Sequence, residues 1–105
     1  MKRVTICSDR LNGISMHIAA FIKNGSLHIE GQDLGSDIPF GEDEYEYFYT
    51  FNKEETRKFA LVLELPDVND QLLDELVNRF GGRKWDPEFI KFVKEHHLEY
   101  EFYSC

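Results

Sequence analysis

Alternating apolar and polar residues fill the first half of the chain and predict β-strands. In ISMHIAAFIKNGSLHIEG, residues 14–31, two alternating runs flank Asn24-Gly25. That dipeptide is typical of a type I′ hairpin turn, whose two central residues both need positive φ. A turn there places Phe21 opposite His28 and His17 opposite Gln32. It also gathers the apolar residues on one face, which any slip by one residue would expose to water. These residues are Ile14, Met16, Ile18, Ala20, Ile22, Leu27 and Ile29.

Two further alternating runs predict a first and a fourth strand. KRVTICS, residues 2–8, precedes the hairpin, and EYEYFYTF, residues 44–51, follows an irregular loop rich in glycine and acids. In the second run Tyr45, Tyr47, Tyr49 and Phe51 share one face, whereas Glu44, Glu46, Phe48 and Thr50 share the other.

From Asn52 the apolar period lengthens to that of a helix. Asn52 with Glu55 fits a capping box, and this helix ends before Pro66. Asn69 caps a second helix that stops at Gly81-Gly82, and Asp86-Pro87 begins a third.

The last residues, LEYEFYS at 98–104, return to alternation and predict a short final strand. The order of elements predicts a single α+β domain over residues 1–105. We expect an antiparallel sheet of four or five strands, an N-terminal meander plus a C-terminal strand, with three helices packed on one face.

The charge of the chain limits the class of macromolecule that it can bind. The formal net charge is −8, with 12 Lys and Arg against 20 Asp and Glu. Residues 36–105 carry all of the acidic excess, with 8 bases and 17 acids, whereas residues 1–35 hold 4 bases and 3 acids. Such a surface repels phosphate backbones, so no nucleic acid is expected, and a basic protein is the favoured partner.

Location and assembly are less constrained by the sequence. No apolar run reaches the length of a membrane span, and the two cysteines, Cys7 and Cys105, lie in no metal or redox spacing. We expect a cytoplasmic protein with no membrane association, in which both cysteines are thiols. A disulfide between the two cysteines is the alternative. Either a monomer or a homodimer is compatible with the pattern.

The histidines offer the one arrangement with catalytic or metal chemistry. His17 and His28 share the polar face of the hairpin with Glu30, where they could assemble a metal or acid–base site. Ordinary polar side chains on a solvated sheet face would give the same pattern. We therefore predict no catalytic residue, no metal and no cofactor, and keep these three residues as an alternative.

An acidic aromatic segment is the main binding candidate. Between residues 37 and 55 there are seven acids and one base, Lys53, beside many aromatic rings. Rings near one sign of charge are typical of protein interfaces, where ring burial adds affinity and charge steers the partner. The predicted partner-binding residues are Phe40, Glu42, Asp43, Glu44, Glu46, Tyr47, Phe48 and Tyr49.

The alternative is that helices cover one face of this strand and that Phe48 packs against Phe21 on the other. A tyrosine face left open would favour recognition, and a glutamate face alone would favour an ordinary solvated strand.

The phrase LHIEGQDLG, followed by YEYFYTF and a helix beginning KEET, resembles small uncharacterised acidic bacterial proteins, some of the immunity-protein kind. The resemblance covers residues 26 to about 60 and includes no catalytic motif. It implies a non-enzymatic protein that neutralises a toxin by binding it. A small enzyme using His17, His28 and Glu30, and a structural homo-oligomer subunit, are the alternatives.

Overall fold

The computed structural model describes residues 2–11, 14–35, 44–82 and 85–104. Within these parts of the chain it confirms the α+β prediction, with a five-stranded antiparallel sheet and three helices. The elements are β1 (Arg3–Leu11), β2 (Ile14–Lys23), β3 (Ser26–Leu34), β4 (Glu44–Phe51), α1 (Lys53–Val62), α2 (Asp70–Phe80), α3 (Trp85–Glu95) and β5 (Glu101–Ser104).

The strands lie side by side in chain order, β1-β2-β3-β4-β5. The first four form an up-and-down meander, and β5 adds to β4 after the three helices. The predicted C-terminal strand is therefore present at one edge of the sheet, and β1 forms the other edge.

The register of the central hairpin follows from its turn. Asn24 and Gly25 have φ of 52° and 79°, the positive values that a type I′ turn needs. Phe21 accordingly lies opposite His28, and His17 lies opposite Gln32, as the sequence predicted.

A bulge in β1 departs from simple alternation. The pairing with β2 shifts between Thr5 and Cys7, and both Ile6 and Cys7 are buried. The Ile6 carbonyl accepts a hydrogen bond from the Gly82 N–H at 2.9 Å. The bulge thus anchors the segment that follows α2 to the edge of the sheet.

The helices and the sheet enclose an aromatic core. Phe51 of β4, Phe59 of α1 and Phe89 of α3 are fully buried. Their ring centroids are 5.5 to 6.3 Å apart. Such edge-to-face and stacked contacts add specific geometry to the burial of apolar area.

The helix starts match the predicted caps with one exception. Asn52 Oδ1 accepts from the Glu55 N–H at 2.8 Å, and Asn69 Oδ1 accepts from the Gln71 N–H at 2.9 Å. The third helix begins at Trp85, one residue before the predicted cap at Asp86. In the described part of the chain, no helix is long and apolar enough to cross a membrane.

Glu55 does not complete the capping box as its spacing suggested. Its Oε1 instead accepts a hydrogen bond from the Glu99 N–H at 2.9 Å, and its carboxylate lies 3.2 Å from Lys58 Nζ. The Glu99 hydrogen bond is the main cause that lowers the pKa of Glu55, and Lys58 lowers it further. The carboxylate therefore ties the start of α1 to the segment that leads into β5.

Replacing Glu55 by glutamine is expected to destabilise the protein in a pH-dependent way. Because the pKa of Glu55 is lower in the folded chain than in the unfolded one, its charge stabilises the fold above the unfolded pKa. This contribution is lost as pH falls below that value toward the folded pKa. Urea unfolding should show a deficit of about 1 kcal/mol in Glu55→Gln at neutral pH that shrinks in acid.

Glu54 provides the matched control, since it occupies the same helix turn and is exposed. Glu54→Gln makes the same charge change without removing a contact to Glu99. A deficit in Glu55→Gln that stays constant between neutral and acid pH would contradict the role given to the carboxylate.

Candidate functional site

All three helices lie on one side of the sheet, which leaves the other side without a covering layer in the described part of the chain. We call this second side the open face. Residues paired directly opposite across an antiparallel ladder point to the same face. The pairings of Ala19 with Glu30, Glu30 with Phe48, and Phe48 with Tyr103 therefore trace the open face from β2 to β5.

The open face carries the glutamates of β4, whereas the tyrosines of β4 point to the side of the sheet on which the helices lie. Glu44, Glu46 and Phe48 point to the open face. Tyr49 is 7% exposed, and its ring contacts those of Trp85 and Phe89 at 5.9 and 5.7 Å. Burial raises the pKa of Tyr49 to about 12.

Tyr47 also belongs to the helix-covered face. It lies opposite Gly31, and its hydroxyl donates a long hydrogen bond of 3.5 Å to Asp33 Oδ1. Burial is the largest cause that raises its pKa well above the ordinary value, and the Asp33 charge adds to it. The open face therefore presents neither Tyr47 nor Tyr49, two of the predicted partner-binding residues.

Three other predicted binding residues, Phe40, Glu42 and Asp43, lie outside the described residues. The part of the predicted surface that the structure places on the open face is thus Glu44, Glu46 and Phe48. It is not a glutamate face alone, because Phe48 contacts the ring of Tyr103 with centroids 6.0 Å apart. Tyr103 is 64% exposed.

The histidines share the open face but do not meet. His17 is exposed and lies opposite Gln32, whereas His28 lies four residues away along β3, about 13 Å at strand spacing. His28 stacks on Phe21 with ring centroids 5.0 Å apart. Partial burial is the main cause that lowers the pKa of His28, opposed by the charge of Glu30.

Glu30, the third residue of the metal alternative, is engaged by a base. Arg3 Nη1 donates to Glu30 Oε2 at 2.8 Å. Across residues 2–11, 14–35, 44–82 and 85–104, no three His, Cys, Asp or Glu side chains are grouped to hold a metal ion. The arrangement thus does not bring His17, His28 and Glu30 together as ligands.

Two neighbouring glutamates on the open face affect each other's ionisation. Glu44 accepts a hydrogen bond from Gln32 Nε2, and its carboxylate also interacts with that of Glu46. This contact is the main cause that raises the pKa of Glu46 and lowers that of Glu44, and the charge of Glu30 raises the pKa of Glu46 further. Glu46 therefore lies beside two other carboxylates, those of Glu44 and Glu30.

A shallow pocket of about 270 Å³ opens on this face. Ala19 lines it with a methyl group that is only 2% exposed, because longer side chains surround it. Arg3, His17, Glu30, Gly31, Gln32, Glu46 and Phe48 also line it. Glu30 and Glu46, which the sequence assigned to different hypotheses, thus line the same pocket.

Several residues of this surface were not among the predicted site residues. The hairpin register already placed Ala19 and Gln32 on this face, whereas Arg3 joins it from β1 and Tyr103 and Glu101 join it through β5. The alternation of LEYEFYS already put Tyr103 and Glu101 on a common side of that strand. Only the pairing of β5 with β4 shows which side that is.

Comparison with protein-family models, curated proteins and solved structures finds no match to this chain. The resemblance of residues 26–60 to immunity-type proteins therefore stays a prediction.

Proposed function

We propose that this protein is a non-enzymatic binding module that presents the open face of its sheet to a basic protein. The observation that carries the proposal is the combination of glutamates with the Phe48–Tyr103 ring pair on a sheet face that none of the described helices covers. The narrower role of an inhibitor or immunity-type protein rests on the resemblance of residues 26–60, and a cytoplasmic location belongs to the same proposal.

Charge is unevenly distributed across the open face. Four acids lie on β3, β4 and β5, whereas the basic side chains lie on β1 and β2. The acids are Glu30, Glu44, Glu46 and Glu101, and the bases are Arg3, Arg10 and Lys23. A basic partner is therefore attracted to the β3–β5 half, and the bases disfavour its placement over β1.

The aromatic rings of the open face supply binding free energy that exposed charges alone do not. Exposed ion pairs contribute little net free energy, whereas burying an aromatic ring at an interface contributes much more. Phe48 is half-buried and Tyr103 is exposed in the free protein, so a partner that covers them gains apolar contact beside the acids. Affinity and orientation thus come from neighbouring residues on the same strands.

Affinity capture with the wild-type chain tests this proposal. From cells of the source organism, we expect one basic protein to be retained at about 50 mM salt and released at about 500 mM, as screening of charge requires. Glu44→Lys/Glu46→Lys and Phe48→Ala/Tyr103→Ala should each lose it, because they remove the charge or the rings. Mass spectrometry identifies the retained protein.

Leu61 provides a control on the opposite side of the molecule. It lies on α1, is 63% exposed, and Leu61→Ala should retain the partner in full. Equal recovery by the wild type and by both open-face double variants would show that binding uses another surface. Recovery of no basic protein by the wild type would contradict the proposal itself.

A further inference from the structure

The pocket on the open face has a definite origin in the strand register. Ala19, Glu30 and Phe48 form one row across β2, β3 and β4, and His17, Gln32 and Glu46 form the next row. Neighbours within a row lie about 5 Å apart, and the rows lie about 7 Å apart. Ala19 has the shortest side chain in this grid, and it lines the pocket together with the Phe48 ring and the carboxylates of Glu30 and Glu46.

An internal contact shows which chemistry this face accommodates. The guanidinium of Arg3 bonds Glu30 at 2.8 Å and lies 4.7 Å from the centroid of the Phe21 ring. Carboxylate and ring thus hold one guanidinium together, by a charge-assisted hydrogen bond and a cation–π contact. Glu46 and Phe48 provide the same two groups on the other side of Glu30.

We propose that this pocket binds an arginine side chain of the partner, with the guanidinium against the Phe48 ring and hydrogen-bonded to Glu46. The inference rests on the proposed binding function and specifies the chemistry that the open face recognises. The planar guanidinium can stack on a ring and bond a carboxylate through two donors, whereas the compact ammonium of lysine cannot do both. Glu46 disfavours an anionic ligand, whereas the charge of Glu30 is already offset by Arg3.

The local charge favours a cation at this point. Glu30, Glu44 and Glu46 lie on neighbouring strands, and Arg3 is the one arginine or lysine among the described residues that line the pocket, beside His17. The contact with Glu44, followed by the charges of Glu44 and Glu30, raises the pKa of Glu46, and a second guanidinium in the pocket offsets these charges. Complementarity of charge thus selects an arginine over an apolar or acidic side chain.

Titration of the ¹⁵N-labelled protein with N-acetyl-arginine amide tests the inference without the partner. We expect saturable shifts of the backbone amides of residues 17–19, 30–32 and 46–48. The neutral isostere N-acetyl-citrulline amide should give none, and N-acetyl-lysine amide should bind more weakly. Unsaturable shifts spread over all acidic surfaces, or equal binding of lysine and arginine, would overturn the inference.

Substitutions of the pocket residues test which side chains contribute to arginine binding. Phe48→Ala and Glu46→Gln should each weaken arginine binding about threefold to fivefold, and Ala19→Leu should abolish it because the larger side chain occupies the pocket. Arg3→Gln should strengthen it, since it removes the internal competitor for Glu30. A gain of binding cannot arise from misfolding. Unchanged arginine affinity in both Arg3→Gln and Phe48→Ala would overturn the inference.

Glu95→Gln is the matched control for charge, because Glu95 is exposed at the end of α3 and distant from this face. It should leave the arginine affinity unchanged. The two proposals fail in different ways. A basic partner that binds the open face while arginine amide does not would overturn the arginine pocket alone, and loss of capture by the wild type would overturn the binding function.

Discussion

Replacing Thr56 by valine is expected to lower the free energy of unfolding by about 3 kcal/mol. Thr56 is fully buried at 0% exposure, and its hydroxyl makes two hydrogen bonds. Oγ1 accepts from the Leu27 N–H at 2.9 Å and donates to the Phe51 carbonyl at 3.0 Å. Valine has nearly the same shape, so the change leaves a buried donor and acceptor without this partner and creates almost no cavity.

Urea unfolding of Thr56→Val and Thr56→Ser measures this contribution. Serine keeps the hydroxyl and loses only a methyl group, so it should cost about 1 kcal/mol. The site matters because this hydroxyl joins α1 to the start of β3 and the end of β4. Equal stability of the valine and serine variants would show that the hydroxyl does not hold these elements together.

Replacing Gly31 by alanine is expected to destabilise the protein by about 2 kcal/mol, although alanine is normally better tolerated than glycine in a strand. A Cβ atom on Gly31 would lie 2.0 Å from Tyr47 Cε2 and 2.3 Å from Cζ. The ring therefore rests directly on the backbone of β3. It cannot turn away freely, because it packs between the rings of Tyr45 and Tyr49.

A double-mutant cycle with Tyr47→Ala isolates this contact. Removing the ring makes room for the new methyl group, so Gly31→Ala should cost little or nothing in the Tyr47→Ala background. Urea midpoints of the four proteins give the coupling free energy. Additive costs would mean that Gly31 is required for a reason other than the tyrosine ring.

Local signals in the sequence predicted most of the fold. Asn24-Gly25 specified both the turn and the register of β2 with β3, because a two-residue turn leaves no freedom in pairing. Asn52 and Asn69 specified helix starts through hydrogen bonds to nearby N–H groups. These signals succeed because their partners lie within a few residues of one another.

Contacts between distant segments escaped the sequence analysis. Both faces of β4 carry aromatic residues, so alternation alone could not decide whether the tyrosines or the glutamates met the helices. Glu55 occupies the acidic position of a capping box, yet its carboxylate accepts a hydrogen bond from the backbone N–H of Glu99, 44 residues away in the chain.

The residues of the candidate site show the same difference between local signals and contacts of distant segments. The pairing of Ala19 with Glu30 follows from the hairpin, whereas the addition of Glu46 and Phe48 depends on the register of β3 with β4. The long loop between those strands does not determine that register. Tyr103 joins only through β5, which lies at the far end of the chain.

Alternation along β4 has a consequence for how this protein can change. Phe51 and Tyr49 build the core, and between and beside them Glu46, Phe48 and Thr50 face solvent. Mutations at Glu46, Phe48 or Thr50 change the chemistry of the open face and leave the core intact. Natural variation can therefore retarget such a scaffold one exposed position at a time, with foldability and specificity evolving almost independently on a single strand.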